Sequence, residues 1–266
     1  MTSLAETRLA VIDVETTGLS PASGDRVVEI GVIARLGERE TARLCRLINP
    51  GRPIPDEVRG IHGISDADVD GQPHFESIAG DVARLLDGAW IVGHNVSFDV
   101  GFLAMELALA GVKPKPLGCL DTRKLAATLW ELPNYQLGTV AARLGINPER
   151  RHRAIGDAEA CGQILDRVVQ ELGGWHAVSA TDLVGMHPYA CVWPEDPVHK
   201  LPAALYDALT NGREAEIRYV NSAGLATRRT IRPVACFGIG RAIYLRAFCS
   251  LANELRTFRV DRIVGR

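Results

Sequence analysis

Residues 9–18, LAVIDVETTG, restrict what this chain can fold into more than any other stretch. Leu9 to Ile12 form an aliphatic, β-branched run of the kind that builds a strand buried on both faces. Asp13 and Glu15 interrupt it. Side chains along a strand alternate, so two acids spaced by two project from the same face, a few ångströms apart. Carboxylates crowded at the end of an apolar strand repel each other and lose hydration, and a divalent cation between them relieves both costs. A strand that simply emerges into solvent would carry the same residues, so the remainder of the chain must distinguish a metal site from a strand end.

The chain has 266 residues, enough for one or two domains with a sizeable core. Apolar residues make up 47% and charged residues 23%, which excludes a disordered chain. No apolar run approaches a membrane span, and the first ten residues lack a basic segment followed by an apolar one, so a cytoplasmic location and no membrane partner are expected. The cysteines at 45, 119, 161, 191, 236 and 249 lack the paired spacing of a zinc or redox motif and read as free thiols. Charge is uneven. Residues 198–266 hold 12 Lys+Arg and 5 Asp+Glu, a net +7, whereas the first 197 carry −9.

Strand-like runs at 26–36 and 42–48 predict an antiparallel meander with the opening strand. Residues 49–55 and 65–72 read as loops, the second acidic, and 75–86 has the spacing of an amphipathic helix. A short strand at 90–93 precedes a helix that Asp99 opens, and another at 117–120 precedes a helix capped by Asp121. A helix is expected at 137–144, and a further one opens near Asp157 and runs to about 172. Strands alternating with helices define an α/β domain. From 174 to 202 the chain loses periodicity and reads as a linker. Beyond it, strand-like runs at 215–220, 227–233, 243–249 and 256–263 predict a small all-β module, a partly closed barrel.

Four acids share this placement at strand and helix ends: Asp13, Glu15, Asp99 and Asp157, with His152 five residues before the last. Asp99 and Asp157 are also in positions where acids cap helices. The segments DVETTG (13–18), GHNVSFD (93–99) and HRAIGDA (152–158), in that order, resemble the DEDDh 3′–5′ exonucleases, and IHGI (61–64) and Asp121-Thr122 match further positions. The chain looks most like the DnaQ-like branch, which includes the proofreading subunit of bacterial replicative polymerases. That resemblance implies a ribonuclease H-like mixed sheet with flanking helices over 1–173, with the opening strand at its centre.

It also implies two divalent cations, Mg²⁺ or Mn²⁺, held by Asp13, Glu15, Asp99 and Asp157. Asp13 would bridge both ions, Glu15 and Asp157 would complete one site, and Asp99 would support the other through water. His152 would be the general base, a task suited to an imidazole. Thr16, Thr17 and Gly18 offer backbone groups to a terminal nucleotide. Leu19, Ile61 and Phe98 would stack on or wedge against the last bases, although core packing explains Ile61 and Phe98 equally well. His62 would face the terminal sugar or phosphate, and Asn95 belongs to the same substrate-binding set.

Residues 203–266 resemble a WYL domain, an Sm- or SH3-like barrel, through IRY (217–219), RTIRP (229–233), IYLRAFC (243–249) and RTFRVDRI (256–263), although isoleucine replaces the name-giving tryptophan. The resemblance implies binding of nucleic acid or nucleotide-like ligands. Tyr244, Arg246, Arg256, Arg259 and Arg262 are the candidates, an aromatic among guanidinium groups. The expected function is removal of nucleoside monophosphates from DNA 3′ ends, single strands preferred, with repair proteins or a DNA polymerase as possible partners. An exoribonuclease, or a non-catalytic nucleic-acid or nucleotide sensor, is the alternative.

Overall fold

A computed structural model describes residues 2–147, 152–187 and 191–264. The chain divides into two units, one comprising Met1–Gly18, Val27–Val100 and Pro114–Trp193, the other Leu19–Arg26, Gly101–Lys113 and Pro194–Arg266.

The first unit is built on β1 (Arg8–Thr16), β2 (Val27–Leu36) and β3 (Arg39–Leu47), an antiparallel meander. Three helices follow: α1 (Asp56–His62), α2 (Asp66–Val69) and α3 (Phe75–Leu86). β4 (Trp90–Gly93) then pairs with β1 in parallel. Helix α4 (Ser97–Leu109) leads to β5 (Gly118–Asp121), parallel to β4. The sheet order β3-β2-β1-β4-β5 makes it mixed and puts β1 in the middle, which is why that strand is aliphatic on both faces. β3, at the edge, alternates arginines and glutamate with small residues and is largely exposed, a composition that blunts edge pairing.

Helices α5 (Thr122–Leu129), α6 (Leu137–Arg143) and α7 (Ala154–Glu171) cover one side of this sheet. The start of α7 is rich in Ala and Gly, so it can lie close on β1 and β2. A methyl group at Gly31, directly opposite Asp13 in the ladder, would meet the backbone of Ala154 at 2.6 Å.

Two expectations for this unit change. The acidic segment at 65–72 contains the turn of α2, because Ser65 and Asp68 form a reciprocal capping box. The stretch 174–202 is not a plain linker either. Trp175, Val178, Ala180 and Leu183 are buried in the first unit's core, α8 (Ala180–Gly185) starts with a Ser179–Asp182 capping box, and the N–H of Leu4 donates to the carbonyl of Val178 at 2.7 Å. No described helix is long and apolar enough to cross a membrane.

In the second unit, α9 (Ala203–Asn211) precedes β6 (Ala215–Val220), β7 (Ala226–Ile239), β8 (Ala242–Cys249) and β9 (Glu254–Arg259), a four-stranded antiparallel sheet in sequence order. β7 runs on past Pro233, where the ladder to β8 shifts and Val234 is passed over, a bulge of the kind at which a strand accommodates a proline. After β9 a 3-10 turn (Val260–Arg262) leads to one isolated bridge between Ile263 and Tyr219 on β6. Closure stops at that bridge, so the described residues form a curled sheet and no closed barrel. Ile217, Ile231, Leu245, Ala247, Cys249 and Phe258 form the core of this sheet together with Leu201 and Leu205.

Candidate active site

Asp13 and Glu15 leave β1 on the face that α7 covers, and Asp157 comes down from the first turn of α7. One carboxylate oxygen from each of the three lies within 4.8 Å of the others. Asp99, in the first turn of α4, is buried, and its Oδ1 accepts the N–H of Val14 at 3.0 Å, the residue between the two strand acids. Four of the expected acids therefore come from one strand and two helix starts.

The electrostatics are those of an anion-crowded pocket. Burial, followed by the charges of Asp99, Glu15, Asp157 and Glu29, holds the Asp13 carboxyl well above its usual range. Burial and the Asp157 and Glu29 charges push Glu15 up to about 8, with Arg153 acting in the opposite direction. Asp99 is also raised to about 8 by burial, against the lowering effect of the Val14 N–H. Such groups resist ionising as they stand, and a hard divalent cation among their oxygens reverses this by supplying the missing positive charge. The all-oxygen donor set suits that class of ion.

A second layer holds this arrangement, and reading the sequence alone does not find it. Glu29 sits directly opposite Glu15 in the β1–β2 ladder and is 1% exposed. Its carboxylate accepts Arg153 Nε at 3.0 Å, pairs with Nη2 of the same guanidinium, and accepts the N–H of Ala154, the first residue of α7, at 2.8 Å. Glu29 thus ties β2 to the N-terminus of the helix that carries Asp157, and its negative charge suits that end of the helix dipole. The available signal was the alternation already used for Asp13 and Glu15, continued across the hairpin. His152 precedes this anchor in an exposed turn with φ +58.

Beside α4, Asp121 Oδ1 accepts the N–H groups of Asn95 and Arg123 at 3.0 and 3.1 Å. His94 Nε2 lies 2.9 Å from the carbonyl of Tyr135 and Nδ1 lies 3.0 Å from the Thr122 hydroxyl, and burial lowers its pKa. These contacts fix the turn at Asn95, exposed with φ +67, immediately ahead of Phe98 and Asp99. Thr16 donates to the Gly18 carbonyl at 2.6 Å, shaping the turn after β1, and Thr17 is buried.

Among the expected wedge residues, Leu19 is 80% and Ile61 59% exposed, so neither is core, whereas Phe98 is half-buried. His62 closes α1 and is buried. Its Nδ1 accepts the Ile64 N–H at 3.0 Å, which leaves the proton on Nε2. Nε2 has no partner of good hydrogen-bond geometry among the described residues, and burial lowers the pKa of the ring, against the raising effect of the nearby Thr16 backbone.

In the second unit the expected basic residues do not converge. Tyr244 and Arg246 share a face of β8 with Arg259 of β9, opposite Tyr244 in the ladder. Arg256 lies opposite inward-facing Ala247 and pairs with Glu254, Arg259 pairs with Asp261, and Arg262 falls in the 3-10 turn. Arg246 donates to Thr257 at 2.9 Å with its guanidinium against Gly24. Arg256 and Arg259, three residues apart on β9, fall on opposite faces by strand alternation, and the turn after β9 takes Arg262 out of the strand.

A mixed sheet whose central strand carries clustered carboxylates, backed by acids at two helix starts, is the architecture of a ribonuclease H-like nuclease. This chain belongs to the exonuclease family, whose model matches residues 10–165, and a WYL-domain model matches residues 201–265. Enzymes of this family depend on divalent metal.

Among relatives, the 3′-5′ exonuclease DinG of Bacillus subtilis is 37% identical over 166 residues, which are 62% of this chain and 18% of that protein. The DNA polymerase III subunit epsilon of Treponema pallidum is 34% identical over 160 residues, 59% of this chain and 74% of that one. Thus the chain spans less than a fifth of one relative and about three quarters of the other. Among solved structures, Exonuclease X in complex with 5′ overhanging duplex DNA aligns at a TM-score of 0.53 and 25% identity, covering 67% of this chain and 98% of that one. Exonuclease I of E. coli in complex with a dT13 oligonucleotide aligns at 0.58 and 17% identity, covering 91% and 55%, a likeness of fold.

Proposed function

We propose that this chain is a divalent-metal-dependent 3′–5′ exonuclease that releases nucleoside monophosphates from DNA ends, single strands preferred, with the C-terminal unit binding nucleic acid. The observation that carries this reading is the trio of carboxylates within 4.8 Å, with buried Asp99 fastened beside it. Asp13, Glu15, Asp99 and Asp157 would hold two Mg²⁺ or Mn²⁺ ions, with Asp13 shared. When bound, such ions activate water and stabilise the departing sugar oxygen.

The chain's own residues do the rest. His152, exposed ahead of α7, takes the proton from the attacking water, and its turn leaves the imidazole open to solvent for proton release. Gly18, Asn95 and the Thr16–Thr17 turn meet the terminal nucleotide. Exposed Leu19 and Ile61 offer apolar surface to its base, and Phe98 and His62 support the same end. Association with a DNA polymerase fits the names of some relatives, and repair proteins are the other partners this reading allows.

The decisive experiment follows 5′- and 3′-labelled single- and double-stranded DNA and matched RNA with Mg²⁺ and with Mn²⁺. Mononucleotides released from the 3′ end, lost in Asp13→Ala, are expected, and His152→Ala should lose orders of magnitude while keeping metal affinity. Faster cleavage of RNA would reassign the polymer. Absence of turnover with either metal would leave a nucleic-acid sensor in place of a nuclease.

A further inference from the structure

The outer face of the C-terminal sheet, opposite its core, has two ends of different character. At one end Phe237, stacked on Tyr244 with centroids 5.7 Å apart, is only 2% exposed, because other segments of the same unit cover it. A methyl at Gly101 would touch Ile239, and Gly24 lies under Arg246. The other end is bare. There Arg218 of β6 stands directly opposite Arg228 of β7, and Arg232 lies on the same face of β7, roughly 13 Å further along by the strand rise. All three are exposed. The Arg232 guanidinium lies over the Phe248 ring, 6.0 Å from its centroid, and Leu255, opposite Phe248, is 46% exposed.

Like charges directly opposed across a ladder destabilise a sheet. Arg213, Arg256 and Arg259 in this unit pair with nearby acids. Among the described residues, Arg218, Arg228 and Arg232 have no carboxylate within ion-pair distance, and Glu216, exposed on the same face, pairs with none of them. An arrangement that raises the energy of the isolated sheet is compensated when an anion bridges the guanidinium groups. An aromatic ring already stacked with a guanidinium offers a platform for a further flat group.

We propose that this face, formed by Arg218, Arg228, Arg232 and Phe248, binds the backbone of single-stranded nucleic acid, with a base stacking at Arg232–Phe248. The assignment rests on the exonuclease reading and adds its recruitment surface. The acids at the end of β1 repel a polyanion until metal binds, whereas this face attracts one without metal. Arg218, Arg232 and Phe248 lie in three separate segments that resemble the WYL domain and Arg228 lies outside them, and only pairing across the β6–β7–β8 register brings the four together.

The test measures binding of a fluorescein-labelled dT16 strand to the full chain by anisotropy in EDTA over a range of salt, so that nothing is cleaved. The triple variant Arg218→Gln, Arg228→Gln, Arg232→Gln should bind about tenfold or more weakly. The slope of log K against log salt should shrink by about 2, since each single-strand phosphate contact contributes about 0.7. The triple Lys variant should keep the slope, and Phe248→Leu should weaken binding without changing it. Because the three arginines repel one another, the Gln variant should melt no lower than the parent, and Arg228→Gln alone serves as the second probe.

Unchanged affinity and slope in the triple Gln variant would overturn the assignment, as would equal affinity for poly-glutamate of matching charge. Binding is read without turnover, so the two proposals fail separately. A chain that binds through this face but never cleaves refutes only the nuclease reading. One that cleaves while ignoring these arginines refutes only this one.

Discussion

Replacing Gly31 with alanine isolates how the sheet sets the distance between the acids of β1 and that of α7. Gly31 has an ordinary extended backbone that alanine adopts freely, so the only change is a methyl group. That methyl would stand 2.6 Å from the carbonyl carbon and oxygen of Ala154 and 2.7 Å from the N of Ile155. Ordinary contact begins near 3.4 Å, so the start of α7 must lift by roughly 0.8 Å. Glu29 resists that lift through the Ala154 N–H and Arg153, and overpacking of this kind costs about 1–3 kcal/mol. Whatever part of the lift occurs carries Asp157 away from Asp13 and Glu15, and a displacement near 1 Å in a catalytic constellation lowers rate about a hundredfold. The assay is mononucleotide release from a 3′-labelled strand at saturating metal, alongside thermal unfolding. Gly80→Ala in α3 is the control, because nothing lies within 4 Å of its added methyl. It should melt slightly higher and cleave normally. A Gly31→Ala protein with parental melting and parental kcat would refute the close-approach argument.

Glu29→Gln should destabilise by about 2–3 kcal/mol in denaturant titration, because Arg153 loses a buried ionic partner while keeping part of its exposure to water. Stability of the metal-free protein should fall as pH rises from 5 to 8. Glu15 and Asp99, each raised to about 8, stay protonated in the folded chain over a range where the unfolded chain has released those protons. Saturating Mg²⁺ should remove that decline in melting scans, and a metal-free midpoint that climbs toward pH 8 would contradict it. Leu183→Ala should cost about 2–5 kcal/mol in the unfolding of the first unit, whereas a linker leucine would cost almost nothing.

The alternation rule placed Asp13 and Glu15 on one face without any coordinates, and capping logic placed Asp99 and Asp121 at helix starts, since both effects act between near neighbours in sequence. Glu29 escaped because its role depends on the β1–β2 register, which sets it opposite Glu15. The Ser65 and Ser179 capping boxes start turns too short to show a helical period within the loop-like composition around them. The burial of Trp175 and Leu183 within 174–202 is hidden for a related reason: prolines and glycines break periodicity without preventing single large side chains from reaching a core. In the second unit the faces of the sheet could not be assigned from spacing, because the shift in the β7–β8 ladder at Pro233 changes which residues stand opposite each other.

The hydrogen bond from Val14 to Asp99 has a consequence for how such a site can evolve. β4 stays paired with β1 only through Leu9, Ala10 and Val11 and then turns away at Asn95, so the far end of the central strand has no neighbour on that side. A carboxylate from the following helix takes the amide that a longer β4 would have claimed. Catalytic geometry and strand length therefore compete for the same donor. Extending β4 by two residues would give a more complete sheet and evict Asp99, so the gap in the ladder is the room in which the acids meet.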